Sequence, residues 1–132
     1  MRIKYKLPKD RTKVYYIASP YSHKSKRMMN RRYLAVDKAA AKLCLSGFLL
    51  IEPISMCHYK SLKFDMPTGY EYWKNRDRKF VSMCDGILIL TIPGWDTSTG
   101  VKDEVAYAQV LGKEVIYLDP KKFLDTSELS VL

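Results

Sequence analysis

Four short runs of β-branched, aromatic and aliphatic residues punctuate this chain, and the stretches between them repeat apolar residues at helical spacing. "KVYYIASP" reads as a buried strand ended by Ser-Pro. The following "SKRMMNRRYLAVDKAAAKLCLSG" sets Met29, Tyr33, Val36, Ala40 and Leu43 on one helical face and stops at Gly47. "FLLIEPIS" predicts a second strand broken at Pro53, and residues 56–69 a long loop over the strand ends. "YEYWKNRDRKFVSMC" predicts a helix with Trp73, Asp77, Phe80, Val81 and Cys84 on one side. "DGILILTIP" is the clearest buried strand, "VKDEVAYAQVLGK" the clearest helix, and "EVIYLDP" a fourth strand.

Strand and helix alternate without a hairpin signal, so the expected fold is α/β. It is a three-layer, doubly wound parallel sheet of four to five strands, flavodoxin/Rossmann-like. Ligands of such sheets bind beyond the carboxyl ends of the strands. Those ends are "ASPYSHKS", "EPISMCHY", "IPGWDTSTG" and "LDP".

Composition narrows the function classes. A chain of 132 residues, 47% of them hydrophobic, suits one globular domain, here 13–132, behind a basic leader at 1–12. No apolar run approaches the roughly 18 residues a membrane span needs, and "MRIKYKLPKDRTK" lacks the apolar centre of a signal peptide, so a cytoplasmic, membrane-free protein is expected. Cys44, Cys57 and Cys84 are odd in number and widely spaced, which suits reduced core thiols; Cys57-His58 is a lone pair, so no metal is expected. The net charge of +9 is concentrated in the first quarter of the chain, whereas acids outnumber bases after residue 84. Either this is a solvated basic face, or phosphate approaches the N-terminal part.

A few positions need a chemical explanation. Asp77 falls on the face of its helix that should be buried, where an unpaired charge costs several kcal/mol. It is either salt-bridged to Arg76 or Arg78, or kept for chemistry. Asp103 and Glu104 begin a helix, where acids suit the dipole. Glu104 lies one turn from Ala108 and two from Leu111, pointing toward the sheet, while Asp103 points outward as a solvated acid. Ser98, Thr99 and Gly100 precede them and offer backbone N–H groups to an anion, although turns use the same residues. No Gly-x-Gly-x-x-Gly or Walker loop occurs. The first loop adds Ser19, Tyr21, Ser22 and His23, followed by Lys24, Lys26 and Arg27. Tyr15 and Tyr16 alternate across the first strand, so one of them packs inward.

Taken together, "YYIASPY", the Asp before the third strand, "CDGILILTIPG" and "STGVKDEVAYAQVLGK" resemble the nucleoside 2-deoxyribosyltransferase superfamily. That superfamily includes 2'-deoxynucleoside 5'-monophosphate N-glycosidases. The resemblance implies that Glu104 is the nucleophile at the anomeric carbon and Asp77 the acid near sugar and base. It also implies that Ser98 and Gly100 form the phosphate-side or sugar-side loop, and that Tyr15 and Ser19 line the pocket. The implied ligand is a small-molecule nucleoside or nucleotide, with no cofactor, in a homo-oligomer whose neighbouring subunit completes the pocket. Such carboxylates suit the chemistry: one captures or stabilises the positive charge developing on the sugar, the other protonates the leaving base. Two other classes compete with this expectation. One is a non-catalytic nucleotide-binding module. The other is a nucleic-acid-binding protein, which the charge suggests but the acidic second half and the lack of a groove-reading motif disfavour.

Overall fold

A computed structural model describes residues 3–132 and orders the alternation as β1 (Val14–Ala18), α1 (Lys26–Leu45), β2 (Leu49–Ile51), α2 (Pro53–Lys63), α3 (Tyr70–Met83), β3 (Gly86–Leu90), α4 (Thr99–Val110), β4 (Glu114–Leu118) and α5 (Thr126–Ser130). The four strands are all parallel and lie in the order β2-β1-β3-β4. The chain steps outward from β1 to β2, then returns across β1 to lay down β3. This reversal makes the sheet doubly wound.

Side chains alternate across each strand, so the sheet has two packed faces. Tyr15 and Ile17 join Leu88, Leu90 and Leu118 beneath α1, whose residues Val36, Ala39, Ala40 and Leu43 are buried there. Tyr16 and Ala18 join Ile87 and Ile89 on the opposite face, beneath Val81 of α3 and Val101 and Ala108 of α4. Every residue of β3 is buried, as a central parallel strand covered on both sides requires.

Two expectations change, for residues 53–63 and for Cys44. Residues 53–63 are a helix rather than a strand end and a loop. Pro53 opens it at the first turn, where a missing N–H is harmless and the fixed φ is favourable. The buried face of α2 carries Pro53, Cys57, His58 and Ser61, so little apolar periodicity marks it in the sequence. Described residues of the basic leader lie against the domain. Tyr5 bridges Tyr117 of β4, Pro8 is buried, and Arg11 donates to the Ser46 carbonyl at 2.7 Å while lying over the Phe48 ring. Residues 1 and 2 of that leader lie outside the described residues. Cys44 is exposed rather than in the core, because it sits about 100° around α1 from buried Leu43. Among the described residues, no helix is long and apolar enough to cross a membrane.

Gly86 of β3 is flanked by Tyr15 of β1 and Glu114 of β4. A Cβ there would lie 3.0 and 3.1 Å from ring carbons of Tyr15 and 3.1 Å from the Glu114 carbonyl oxygen. Gly86→Ala should therefore destabilise the domain by about 1–3 kcal/mol. In urea unfolding the midpoint should fall with no change in slope.

Candidate active site

The chain leaves β1 for α1 on one face of the sheet and leaves β3 for α4 on the other, so the two loops part and open a crevice between them. A cavity of about 560 Å³ occupies it, walled by the β1 and β3 loops and by α2, α3 and α4. That volume lies within the roughly 300–1,000 Å³ of small-molecule sites.

Glu104 reaches this cavity because Val101, Glu104 and Ala108 form the buried face of α4. Only 5% of Glu104 is exposed, and the hydroxyl of fully buried Tyr16 donates to its Oε2. Burial pushes the Glu104 carboxyl up to about 8; the Tyr16 hydrogen bond opposes the rise and the nearby Asp77 charge adds to it. Burial, followed by the Glu104 charge, holds the Tyr16 hydroxyl well above the ordinary phenol range, so it remains a donor.

Asp77 enters from α3, on the same buried face as Val81. It is 7% exposed, and its Oδ1 accepts from Arg76 Nε at 3.0 Å and pairs with Arg76 Nη2 at 2.9 Å. Burial raises this carboxyl, while Arg76 pulls it back. The guanidinium itself lies over the Trp73 ring, 4.4 Å from its centroid, and donates from Nη2 to the Pro53 carbonyl at 3.2 Å.

Asp103 is not the solvated acid the sequence suggests. Arg78 grips it from two nitrogens at 2.9 and 2.5 Å, and the Tyr70 hydroxyl donates to it at 2.6 Å. These bonds lower its carboxyl, Arg78 contributing most, and tie α4 to α3. One step of about 100° along α4 thus separates a helix-to-helix tie from a cavity acid.

The other end of the cavity suits an anion. Ser98 caps α4 by accepting from Val101 N–H at 3.2 Å, and the N–H groups of Thr99 and Gly100 in its first turn have no intrahelical partner. Gly100 admits the Tyr70 ring, which would lie 3.1 Å from a Cβ. Ser19 Oγ is buried and, among the described residues, has no hydrogen-bond partner. Arg32, reaching across from α1, donates to the Ser22 carbonyl at 2.9 Å and pairs with no carboxylate among the described residues. Its Nη2 lies 2.8 Å from where a Cβ on Gly94 would be, and Gly94 has a φ of +95°, so only glycine fits beside it.

Of the expected site residues, Glu104, Asp77, Ser19, Tyr21, His23, Ser98 and Gly100 all line this cavity. Tyr15 does not. It packs beneath α1, and strand alternation gives its place at the site to Tyr16. Tyr21 hydrogen-bonds the buried His58 Nδ1 at 2.8 Å, and His23 is exposed, its Nδ1 accepting from Ser25 N–H at 2.9 Å. Lys24, Lys26 and Arg27 are exposed and outside the lining; the cavity's cations are Arg32 and Arg76. Reading the basic run as one block hid Arg32, which only its place on α1 brings inward. Arg76 is one of the two partners the sequence offers Asp77, and Trp73 shares its predicted face; Tyr70 could have been suspected from its place two turns before Asp77.

Among the described residues, no group of three or more His, Cys, Asp or Glu side chains could hold a metal ion. The family described as a domain of unknown function (DUF1937) matches residues 13–119, and the chain belongs to it. No curated protein matches the chain.

The burial of Glu104 has a consequence for stability. Its folded-state value of about 8 lies above the ordinary 4.5, so the protonated form is the one the fold favours. The stability this contributes is complete below about 4.5 and is lost as pH rises through about 8. Glu104→Gln, which cannot ionise, should match the wild type near pH 4.5. By pH 8 it should melt higher, by at least the several degrees that about 1 kcal/mol is worth in a domain of this size. Thermal unfolding at the two pH values checks this.

Proposed function

We propose that this member of the DUF1937 family cleaves the N-glycosidic bond of a nucleoside 5'-monophosphate, most simply a 2'-deoxynucleotide. The observation that carries this reading is the pair of buried carboxyls, Glu104 and Asp77, facing one nucleotide-sized cavity from two helices. A fold has no structural need to bury two acids side by side; breaking a glycosidic bond needs one carboxylate and one carboxylic acid. The likeness of "YYIASPY" and "STGVKDEVAYAQVLGK" to the nucleoside 2-deoxyribosyltransferase superfamily supports the same assignment.

The chemistry follows from the two environments. The two carboxyls titrate as a coupled pair. At rest, burial keeps the proton on Glu104 while Arg76 favours the charged form of Asp77, and the proton passes from Glu104 to Asp77 when the substrate binds. With the sugar bound, cationic character at the anomeric carbon favours ionised Glu104, which attacks that carbon as the bond to the base breaks. The bonding pair leaves with the base nitrogen, and Asp77 supplies the proton that neutralises it. Tyr16 holds Glu104 in line by its hydrogen bond. A water or a second base then takes the sugar from Glu104. The phosphate is assigned to the α4 N-terminus, Ser19 and Arg32, because among the described residues these offer N–H groups without an intrahelical partner, an unpartnered buried hydroxyl and a guanidinium without a carboxylate.

A second reading, a nucleotide-binding module without turnover, uses the same cavity and the same anion end. Free base measured by chromatography after incubation with ribo- and deoxynucleosides and their 5'-monophosphates separates the two. The wild type is expected to release base from at least one monophosphate, and Glu104→Gln to lose about 10³-fold or more in kcat. Binding of the nucleotide with no release by the wild type would establish the module instead. Arg32→Ala should raise KM for the monophosphate by about tenfold or more, the worth of one charge-assisted contact, and leave the free nucleoside unaffected.

A further inference from the structure

Arg76 is unusual among the cations of this protein because it borders the cavity, stacks on an aromatic ring and spends two nitrogens on a single oxygen. Nε at 3.0 Å and Nη2 at 2.9 Å both meet Oδ1 of Asp77, and neither is recorded on Oδ2. Nη2 also donates to the Pro53 carbonyl at 3.2 Å, at the first turn of α2. Two rings of its own helix flank the guanidinium carbon, with centroids at 4.4 Å for Trp73 and 5.6 Å for Phe80. Contacts with Pro53, Trp73 and Phe80 therefore hold this cation beside Asp77, and its position determines the orientation of the carboxyl.

We infer that Arg76 is a positioning residue for the proposed reaction: it saturates Oδ1 of Asp77, leaves Oδ2 as the one oxygen that exchanges a proton in the cavity, and keeps that acid strong enough to give the proton up. Without the guanidinium, a carboxyl this deeply buried would hold its proton too tightly to pass it to a departing base. With it, the anion left after transfer is met at once by a fixed positive charge. No oxidant or co-reactant is involved: one O–H bond at Oδ2 breaks, one N–H bond forms on the base, and the electron pair of the O–H bond stays on Asp77.

Several groups face Asp77 besides Arg76. Tyr16 approaches from β1, Glu104 from α4, and Cys57 from α2, with Tyr70 on its own helix. Tyr16 favours the charged form of Asp77 as Arg76 does. Glu104 disfavours it whenever it is itself ionised, since the two carboxyls repel each other. Cys57 and Tyr70 are held in their neutral forms by burial, so they add no charge of their own over the working range. The only fixed positive charge among these groups is Arg76.

The purpose assigned to Arg76 rests on the glycosidic reading above, but its test does not. Carboxyl carbon NMR of the resting, ligand-free protein follows Asp77 through a pH titration, with Asp77→Asn identifying its signal. Arg76→Met, which keeps bulk against Trp73 without charge, is expected to move the Asp77 midpoint upward by about 1 to 3 pH units. Arg76→Lys, which keeps the charge on one nitrogen, should give a smaller rise. If Arg76→Met does not fold, Arg76→Gln decides in the same terms. A midpoint unchanged to within about 0.3 pH unit in a folded uncharged variant would overturn the inference, because the guanidinium would then not set how tightly Asp77 holds its proton. If Asp77 shifts as expected and no nucleotide is cleaved, the control of Asp77 by Arg76 stands, and the purpose assigned to it falls with the proposed reaction. If nucleotide is cleaved and Asp77 does not shift, the reverse holds.

Discussion

The buried contact between Tyr16 and Glu104 fixes the rest of the site. It joins the central strand of the sheet to the helix that follows β3, across the point where the winding reverses. A carboxyl there loses most of its hydration, and a single phenolic donor does not restore it, so the group sits far above its ordinary range. Packing holds this position: Val101 and Ala108 on either side of Glu104 belong to the same apolar layer as Tyr16, Ala18, Ile87 and Ile89. The scaffold thus bears a cost that a purely structural acid would not impose, which is why this acid is read as chemical.

Each remaining feature of the cavity compensates for that burial or exploits it. Asp103, the neighbour of Glu104 in sequence, is turned away and tied by Arg78 and Tyr70, so α4 cannot rotate to bring Glu104 into water without breaking those bonds. Asp77 faces the same space but has a cation beside it, so the two carboxyls differ in environment although they share a cavity. Different environments for paired carboxyls are the usual means by which one acts as acid while the other acts as base or nucleophile. The end proposed for the phosphate draws on other groups again, a helix N-terminus, Ser19 and Arg32.

Much of this was legible in the sequence, for identifiable reasons. The four strands and the helices around them follow from periodicity, and the α1 face of Met29, Tyr33, Val36, Ala40 and Leu43 is buried as its spacing implies. Glu104 and Asp77 stood out because helical phase set a charge among apolar residues. α2 was not legible, because the side chains it buries include His58 and Ser61, and its proline marks a helix start as readily as a strand end. Tyr15 and Tyr16 could not be told apart, since alternation says that they face opposite ways but not which face holds the cavity. Arg32 was masked by its basic neighbours. Only the packing of α1 against the sheet separates it from Lys24, Lys26 and Arg27, which stay outside the cavity.

The central claim is that Glu104 bonds to the sugar during turnover. The most direct measurement is the mass of the intact protein quenched in acid while it is releasing base, followed by mapping of any modified peptide. The account predicts a fraction of the chain heavier by one deoxyribosyl phosphate, with the added mass on Glu104. An adduct on a different residue, or base release by Glu104→Gln at the wild-type rate, would contradict it.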